Sequence, residues 1–429
     1  MSNLDVTPDA VQSGARAQTP SLQTMISRVQ SLRDIWSAIE RGVSGPTQIE
    51  RVRLGAARGR ICADTLRSTT DIPRFNQAAM DGYGLDASTL SVGVETCEPV
   101  VGECRPGRLP VQTGGQGVVK VATGAALPGW VSAVVRWEDC VTAEGQVHLS
   151  GPVHSGLNIR LRGEDALKDR PVIPAGQRID ARTSALAAAA GAKGVVVWRK
   201  PRAGILVTGD EVAPPGAKLS GVQIHDSNGV MAAQLLSAEG VDVRTIRYVP
   251  DDQAQIQTAL ELMSERCDLI VLSGGMSHSD QDATRRAVPS LGGWLSSLPL
   301  KLRPGKPSAI GTFRRSMLVG MPGNPLAAYV TMQIVGLPLA RRLCGLSSVA
   351  PARRPVEAGF DLHRAQPTIE FVPARIGECL DGSQHAKILS RGASARLVPL
   401  AESDGLLCFD AEQTQIDAGD LVEFWPHIG

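Results

Sequence analysis

The spacing of apolar residues predicts helices near the start of the chain and a mostly β region after them. Between Leu22 and Glu40, apolar residues recur every three or four positions, which predicts one amphipathic helix. Residues 60–200 carry short β-like runs, such as GVVKVATG and KGVVVWRK, between turns rich in Pro and Gly. Within this irregular β region, the alanine-rich segment TSALAAAAGAKG predicts a short helix that ends at Gly191.

From Ala203 the pattern alternates between strand and helix. The strand-like runs GILVTGDE, VDVRTIRYV, DLIVLSGG and SMLVGM are separated by the helical segments SNGVMAAQLLSAEG and QAQIQTALELMSERC. Such alternation predicts a parallel α/β sheet. Ligands of these sheets bind beyond the carboxyl ends of the strands, which is where TGDE, SGGM and MPGNP stand. From residue 353 onward short β-like runs return, and they predict a separate small barrel or sandwich.

Length and composition narrow the class of protein. A chain of 429 residues and 45.2 kDa is too long for one core, so several domains are expected. A net charge of +1 gives no electrostatic reason to expect nucleic acid or an anionic membrane as the partner. None of the eight cysteines forms a Cys-x-x-Cys pair, which favours reduced thiols over a zinc or iron–sulfur site.

The start of the chain predicts where the protein resides. It has neither the basic nor the apolar segment of a signal peptide, and it reads as a disordered tail. Elsewhere no apolar run reaches the roughly 18 residues that a membrane helix needs. We therefore expect a cytoplasmic protein.

Phosphate-binding motifs are the first candidate chemistry. The nearest approach to a P-loop, RPGKPS, has Pro307 where that motif needs Ser or Thr. Asn324 and Pro325 are a strong helix start, with Asn at the N-cap and Pro at the first helical position. Gly323 precedes them at a strand end, and the N–H groups there suit an anion. Helix capping without a ligand explains the same residues equally well.

Acidic residues in turn-like segments are the second candidate. Carboxylate oxygens are the ligands that Mg²⁺ prefers, usually together with waters and substrate phosphates. An Asp in a turn is by itself ordinary turn chemistry, and sequence spacing does not show that such residues converge. The acids concerned are Asp81, Asp165, Asp210, Glu211, Asp251 and Asp282.

A serine nucleophile is the third candidate. Ser277 stands in a segment that approaches the G-x-S-x-G turn of hydrolases, but Ser279 occupies the position of the second glycine. The neighbouring His278 is badly placed to act as a general base on Ser277. A serine hydrolase is therefore a weak alternative.

Basic residues are the fourth candidate. Arg303 and Lys306 flank a Pro-Gly turn, which would aim both side chains at one place, and Ser394 and Arg396 could add a second anion contact. Solvated surface charge is the alternative for each of these side chains.

Several motifs taken in order resemble one known family. They are IPRFNQAAMDGYG, KVATGAALPGWVSAVVRWED, NIRLRGEDAL, RAGILVTGDEV, IHDSNG, LIVLSGGMS, RPGKPSAIG, VGMPGNPLAA and GASARL. Together they resemble the molybdopterin molybdenumtransferases, the MoeA family, and the related E domain of gephyrin. The similarity runs from about residue 25 to the C-terminus, and the conserved order is what makes it specific.

The resemblance implies a multidomain protein that combines α/β and β architecture. It would contain a three-layer α/β domain with a parallel sheet, an irregular β-rich domain, an extended linking segment and a C-terminal β-barrel. The expected boundaries are a tail (1–24), a linking and dimerisation domain (25–67 and 168–200), a β-rich domain (68–167), an α/β molybdopterin-binding domain (201–348) and the barrel (349–429).

The resemblance also implies an activity. Family members use Mg²⁺ to insert molybdenum from molybdate into adenylylated molybdopterin, and they release AMP. They are homodimers whose active site lies between the α/β domain of one subunit and the β-rich domain of the other. A molybdopterin adenylyltransferase and molybdoenzyme apoproteins are the further partners expected. A catalytically impaired pterin-binding scaffold of the same fold is the alternative within this class.

Residue roles follow from the matching motifs. The expected catalytic residues are Asp81, Thr123, Asp165, Glu211, Asp251 and Asp282, of which Glu211, Asp251 and Asp282 would bind the metal. The expected pterin, phosphate and molybdate contacts are Ser273, Gly274, Gly275, Ser277, Arg303, Lys306, Gly323, Asn324, Pro325, Ser394 and Arg396.

The chain departs from the family pattern mainly after Ser273-Gly274-Gly275. Family members usually read SGGVSVG followed by an Asp-Tyr pair, whereas this chain has Met276, His278, Ser279 and, in place of the tyrosine, Ala283. Arg303 replaces the first lysine of the usual KPGKP, which exchanges a point charge for a planar fork. Because the expected carboxylates are all present, the sequence predicts a divergent but active member.

Overall fold

The computed structural model describes residues 20–89, 96–113, 116–149, 152–276, 282–378 and 384–427. The chain forms two compact units, the first made of residues 1–48 and 199–429 and the second of residues 49–198. Among the described residues, no helix is long and apolar enough to cross a membrane.

The secondary structure of the described residues is as follows. The α-helices are α1 (Leu22–Ile26), α2 (Leu32–Gly42), α3 (Ala181–Ala189), α4 (Asn228–Ala238), α5 (Gln253–Ser264), α6 (Ala283–Ser290), α7 (Pro325–Thr331), α8 (Leu337–Cys344) and α9 (Val398–Ala401). A π-helical turn, Met332–Gly336, joins α7 to α8. The strands of the second unit are β1 (Ile49–Arg53), β2 (Leu66–Arg67), β3 (Gln77–Ala78), β4 (Gly82–Leu85), β5 (Thr96–Cys104), β6 (Val118–Val121), β7 (Ala133–Arg136), β8 (Cys140–Ala143), β9 (Gln146–Leu149), β10 (Ile159–Arg160), β11 (Pro171–Ile173) and β12 (Gly194–Trp198).

The strands of the first unit complete the set. They are β13 (Arg202–Thr208), β14 (Val212–Ala213), β15 (Ile224–His225), β16 (Asp242–Val249), β17 (Leu269–Ser273), β18 (Trp294–Ser297), β19 (Leu302–Arg303), β20 (Ala309–Phe313), β21 (Ser316–Met321), β22 (Arg354–Ala358), β23 (Leu362–His363), β24 (Ile369–Glu378), β25 (Gln384–Ile388), β26 (Gly405–Phe409), β27 (Gln415–Ile416) and β28 (Leu421–Pro426).

The N-terminal helical segment is two helices, where the apolar spacing predicted one. The second helix begins after Ser31 because of a capping box. The N–H of Asp34 donates to the Ser31 hydroxyl over 3.3 Å, and the Asp34 carboxylate accepts from the Ser31 N–H over 2.9 Å. The apolar periodicity continues across the break, so it does not reveal the break by itself.

The α/β sheet has the strand order β16-β13-β17-β21-β20-β18. The first four strands are parallel, as predicted, and three of them, β13, β17 and β21, end in the polar segments TGDE, SGGM and MPGNP. The sheet is nevertheless mixed, because β20 and β18 add to it in antiparallel orientation. A short turn after β20 returns the chain at once into β21, and only antiparallel neighbours can be joined so briefly.

Helices cover both faces of this sheet. Helices α5 and α6 pack on one face, where Leu260 and Val288 share a buried core with Leu206 of β13. Helix α4 approaches the opposite face, since a Cβ at Gly229 would lie 3.0 Å from Val207, the next residue along β13. Successive side chains of a strand point to opposite faces. The three-layer arrangement predicted from the sequence is therefore confirmed.

The C-terminal strands form a closed barrel. Strands β24, β25, β22, β28 and β26 follow one another in order, and β26 pairs back with β24. The interior is filled by apolar side chains such as Val372, Leu407 and Phe424, each at most 2% exposed. Of the two forms predicted from the sequence, barrel or sandwich, the structure is a barrel.

The second unit is β-rich, as predicted. Its main sheet has the order β7-β4-β6-β5-β9-β8, with buried apolar clusters on each side, and three two-stranded ribbons complete it. The predicted alanine-rich helix is α3, which begins after the N-cap Asp180. No disulfide is formed by the cysteines of the described residues.

Candidate active site

A cavity of about 650 Å³ lies at the carboxyl edge of the α/β sheet. Strands β16, β13, β17 and β21 run parallel and therefore end at this same edge. Ligand sites of parallel sheets form at such edges. The residues that line the cavity include Thr208, Glu211, Asp251, Gly274, Gly275, Met276, Asp282, Pro322, Gly323 and Asn324.

The turn after β17 can be made only by glycine. Gly274 and Gly275 have φ values of +91° and +65°, a region that side-chain-bearing residues rarely adopt. A Cβ at Gly274 would lie 2.3 Å from the carbonyl oxygen of Thr208, and one at Gly275 would lie 2.3 Å from Oγ1 of Thr284. The two glycines therefore let the backbone after Ser273 pass between buried threonines and line the cavity.

Acidic side chains crowd one side of the cavity. Burial raises the pKa of the Asp251 carboxyl, and the negative charges of Asp282, Asp210 and Glu211 raise it further, against the opposing effect of Arg286. Because these negative charges repel one another, a bound cation would stabilise the ionised carboxylates. Sequence reasoning gave no proof that these acids converge, and the fold brings Glu211, Asp251 and Asp282 to one cavity.

The acids do not form a complete metal cage. Among the described residues, no group of three or more His, Cys, Asp or Glu side chains is close enough to hold a metal ion. The oxygen donors nevertheless suit Mg²⁺, which usually takes one or two protein carboxylates and fills its shell with waters and substrate phosphates. The carboxylates of this cavity therefore suit Mg²⁺ as some of its ligands.

Two of the acids also have structural roles. Asp282 is the N-cap of α6, where Oδ1 accepts from the N–H of Arg285 over 3.2 Å, and it is only 7% exposed. Asp210 accepts from the N–H of Asp251 over 3.2 Å and so holds the loop that carries Asp251. The sequence analysis named Asp210 among the candidate acids, but the resemblance assigned it no role in the site.

A second cavity, of about 270 Å³, shares Pro307, Pro322 and Asn324 with the first. Its lining also includes Arg303, Lys306 and Ser394, as the predicted anion contacts require. Arg396 lines neither cavity and is exposed to solvent, in a turn where its N–H donates to the Ala393 carbonyl.

A buried glutamate in the lining of the second cavity pairs with one arginine of that cavity and with two arginines beside it. Glu370 is 2% exposed and forms ion pairs with Arg364 at 3.2 Å, Arg391 at 3.0 Å and Arg303 at 3.7 Å. One carboxylate thus faces three guanidinium groups, and Lys306 adds a further positive charge. Sequence reasoning missed Glu370 and Arg391, although a glutamate inside the apolar strand TIEFVPAR was a usable signal.

The start of α7 is tied to both neighbouring segments. Asn324 is the N-cap by position, but its side chain makes no capping bond and its amide donates to the Ser394 hydroxyl over 3.1 Å. The Asn228 amide donates to the Gly323 carbonyl over 2.8 Å. The N–H of Leu326 donates to the Ser394 carbonyl over 3.1 Å. Since Pro325 has no N–H, Gly323 and Asn324 are the residues of this segment that can offer one to a ligand.

Three predicted residues lie in the second unit. Thr123 donates its N–H over 2.7 Å and its hydroxyl over 2.9 Å to Oδ1 of Asp81, and these bonds lower the pKa of Asp81. Asp165 is exposed, and its N–H donates to the Ile72 carbonyl over 3.0 Å. The remaining predictions, on Ser277 and on the variant residues 278 and 279, fall outside the described residues, so a serine nucleophile stays a prediction.

Comparison with known proteins decides the family. The MoeA N-terminal region (domain I and II) matches residues 23–191, a probable molybdopterin binding domain matches residues 204–342, and the MoeA C-terminal region (domain IV) matches residues 355–427. A molybdopterin molybdenumtransferase from Synechococcus elongatus is 33% identical over 305 residues, which are 68% of this chain and 75% of that protein. The chain belongs to the MoeA family.

Other members of the MoeA family extend the likeness over nearly the whole chain. A molybdopterin molybdenumtransferase from Haemophilus influenzae is 28% identical over 385 residues, which are 89% of this chain and 94% of that protein. The solved structure of a molybdopterin biosynthesis MoeA protein from Pyrococcus horikoshii has a TM-score of 0.73 and 25% identity, and the match covers 93% of this chain and 99% of that one. This MoeA-family chain is an enzyme of molybdenum cofactor biosynthesis.

Proposed function

We propose that the chain inserts molybdenum from molybdate into adenylylated molybdopterin, in a Mg²⁺-dependent reaction that releases AMP. The observation that carries this proposal is the adjacency of two cavities of opposite charge at the edge of the α/β sheet. The first presents Glu211, Asp251 and Asp282, and the second presents Arg303 and Lys306. The shared residue Asn324 lines both cavities, so one substrate can reach into each.

The first cavity would hold the pyrophosphate of the substrate. Backbone N–H groups of the Gly274-Gly275 turn face phosphate oxygens in this scheme, as they do in anion-binding loops. Asp251, Asp282 and Glu211 would hold Mg²⁺ together with water and phosphate oxygens. When bound there, Mg²⁺ neutralises negative charge on the phosphates during cleavage.

The second cavity would hold molybdate. Its lining presents the guanidinium group of Arg303 and the ammonium group of Lys306, and Ser394 adds a hydroxyl donor. Glu370 forms an ion pair with Arg303 at 3.7 Å, and it cancels only part of the local positive charge because Arg364 and Arg391 share it. Oxyanion binding by groups that are already in place needs little reorganisation.

The reaction itself exchanges one phosphate bond for molybdenum–sulfur bonds. The P–O bond between AMP and the phosphate of molybdopterin breaks, an oxygen atom from water or molybdate completes the remaining phosphate, and AMP leaves. The two dithiolene thiols would replace one oxygen of molybdate, which either completes that phosphate or leaves as water with the two thiol protons. The role of this chain is to orient the two substrates and to neutralise their charges, since molybdate and pyrophosphate repel each other.

We also propose that the chain acts as a homodimer, with the second unit of one subunit serving the cavity of the other. The tight Asp81–Thr123 pair supports a role for the second unit, because Thr123 holds an ionised carboxylate in an exposed position. Asp165 is the second acid that this unit would contribute. A molybdopterin adenylyltransferase would supply the substrate, and molybdoenzyme apoproteins would receive the product.

The test is a reconstituted reaction. Purified protein, adenylylated molybdopterin, Mg²⁺ and molybdate are mixed, and both AMP and pterin-bound molybdenum are measured. We expect both products with the wild type, and neither when molybdate or Mg²⁺ is withheld. AMP release that needs no molybdate, or tight pterin binding with no products under any condition, would rule the proposal out.

The matched variants are Asp282→Asn and Asp252→Asn. Both residues are helix N-caps, and Asn caps a helix about as well as Asp does, so each change removes a charge while preserving a cap. We expect Asp282→Asn to abolish both products, and Asp252→Asn, outside the cavity, to leave them near the wild-type level. Equal loss in both variants would indicate damage to the fold and not to the site.

The shared-site proposal has its own test. Subunits carrying Asp81→Asn are mixed with subunits carrying Asp282→Asn, after each homodimer has been found inactive. If a site takes Asp81 from one subunit and Asp282 from the other, a mixed dimer contains one intact site and recovers activity. Failure to recover activity in verified mixed dimers would mean that each site uses a single subunit or that no dimer site exists.

A further inference from the structure

A third cavity, of about 400 Å³, lies at the opposite edge of the same α/β sheet. Strands β13, β17 and β21 begin there, and Arg202, Asp268 and Arg315 stand at or just before their first residues. The cavity belongs entirely to the first unit, since its other lining residues come from segments 44–48, 199–201, Arg266 and Leu343. It shares no lining residue with either of the cavities described above.

Four arginines surround this cavity, against one acidic residue. Asp268 is already neutralised, because its carboxylate accepts from Arg199 over 3.0 Å and from the N–H of Arg202 over 2.7 Å. Arg202, Arg266 and Arg315 are exposed. Among the described residues, none of these three arginines forms an ion pair, although the Arg315 guanidinium donates to the Glu265 carbonyl. The lining therefore carries three uncompensated positive charges, in a chain whose net charge is only +1.

The convergence of these arginines is a property of the fold. They come from three separate segments of the chain, and permanently charged guanidinium groups that share one cavity repel one another. Burial raises the pKa of the Cys267 thiol, and the nearby charges of Arg202 and Arg315 oppose that rise, which is consistent with their common location. An anion in the cavity would remove the repulsion.

The lining also indicates which anion fits. Ser44, Thr47 and Gln48 add neutral hydrogen-bonding groups, as binding sites for phosphate oxygens often do. None of the lining residues, all of which lie in the described part of the chain, is aromatic, so a nucleobase would find no stacking partner. The volume lies within the usual range of small-molecule sites.

We infer that this cavity binds a compact phosphate anion of the di- or triphosphate class, recognised through its charge and not through an attached base. The site is distinct from the reaction proposed above and does not depend on it. Bidentate guanidinium contacts to phosphate oxygens supply the specificity.

The experiment is calorimetric titration of the full chain with inorganic pyrophosphate at low salt. The titration is done without Mg²⁺, because the acidic first cavity would hold pyrophosphate together with that cation. It is done in an Arg303→Gln, Lys306→Gln background, because the second cavity also carries those two charges, and this background leaves the third cavity intact. Arg202→Gln and Arg266→Gln are then added. The matched control is Arg247→Gln, an exposed arginine of the edge strand β16 that does not line the cavity.

We expect one pyrophosphate to bind per chain in the starting background. Each cavity variant should weaken that binding about tenfold, the loss typical of one charge-assisted hydrogen bond, whereas the control should change it little. ATP should bind about as well as inorganic triphosphate, because no base contact is available.

Three results would overturn the inference. The first is that pyrophosphate does not bind in the starting background. The second is that the control weakens binding as much as the cavity variants do, and the third is that ATP binds but triphosphate does not.

A separate titration of the same protein uses a polyglutamate peptide. Binding of the peptide without binding of pyrophosphate would assign the cavity to an acidic protein segment and overturn the phosphate assignment.

Discussion

The side-chain amide of Asn324 donates a 3.1 Å hydrogen bond to the hydroxyl of Ser394, which lies 70 residues later in the chain. Asn324 follows a strand of the α/β sheet, and Ser394 belongs to the loop between two barrel strands. Asn324 lines both proposed substrate cavities, whereas Ser394 lines the second alone. The bond therefore connects the proposed phosphate and molybdate sites through one pair of side chains.

This pair can be tested by a double-mutant cycle. Asn324→Ala and Ser394→Ala should each raise the molybdate concentration needed for half-maximal rate, because each loosens the second cavity. The double variant should lose less apparent binding free energy for molybdate than the two single variants lose together, and the difference should be about 1 kcal/mol. Ser390→Ala, which changes another serine of the same cavity, serves as the control partner and should be additive with Asn324→Ala. Additivity of the first pair would contradict a functional link.

The crowding of acids around Asp251 predicts a trade between stability and activity. The raised pKa means that Asp251 holds its proton to a higher pH in the folded protein than in the unfolded chain, where the pKa is 3.8. The stability that the protonated carboxyl contributes is therefore lost as the pH rises from 3.8 through the raised pKa. At neutral pH, Asp251→Asn should therefore raise the melting temperature while it abolishes product formation. Melting curves with and without Mg²⁺ check this, since added Mg²⁺ should stabilise the wild type more than the variant. A lower melting temperature in the variant would mean that Asp251 is not under charge repulsion.

The Asp81–Thr123 pair predicts a measurable pKa change. Thr123→Val removes the hydroxyl donor and keeps the N–H donor, so the pKa of Asp81 should rise part of the way toward its usual range. NMR titration of the carboxyl carbons measures it. Ser88→Ala is the control, because Ser88 holds down the pKa of Asp86 in the same way, and its loss should move Asp86 without moving Asp81. An unchanged Asp81 in Thr123→Val would show that the N–H bond alone sets its pKa.

Two glycines of the first cavity provide a matched pair. Gly275→Ala should destabilise the protein by at least about 1–2 kcal/mol from the left-handed backbone alone, and the clash with Thr284 adds to that cost. Gly323→Ala should change the free energy of unfolding by less than about 0.5 kcal/mol, since a Cβ there meets open space. Urea denaturation of both variants measures the difference. Similar losses in the two would contradict the described turn.

His427 predicts a loss of stability on acidification. The Ser403 hydroxyl donates to the Leu400 carbonyl over 2.7 Å, so it accepts from Nε2 of His427, and Nδ1 then accepts from the Tyr329 hydroxyl over 2.6 Å. Burial raises the pKa of Tyr329 to about 12, which keeps that hydroxyl protonated. Burial also lowers the pKa of His427, chiefly because the charged ring would lose its hydration.

The unfolded chain therefore takes up this proton at a higher pH than the folded protein does. The stability tied to His427 is complete above about 6.5 and is lost as pH falls below that value toward the lowered one. Urea denaturation between pH 5 and pH 8, a range chosen to span the histidine titration, should show a steeper decline in the wild type than in His427→Gln. The exposed His363→Gln should decline like the wild type. If the free energy of unfolding declines equally with pH in all three proteins, His427 is not the cause of the decline.

Much of the fold could be predicted from local patterns. Apolar spacing placed the strand–helix alternation after Ala203, and the polar segments after β13, β17 and β21 identified the edge where the first cavity lies. The order of motifs also indicated the family. These features depend on residues that are close in sequence, because the periods of helices and strands are local properties of the chain.

Only the tertiary structure decided which distant side chains meet. The charge repulsion felt by Asp251 depends on strand order, since β13 lies between β16 and β17 in the sheet. The three arginines around Glu370 depend on how the barrel strands and loops close around that side chain. The arginine cavity at the far edge likewise needs five segments to come together. Such contacts are fixed by packing and by the requirement that buried charges find partners, and no local spacing encodes them.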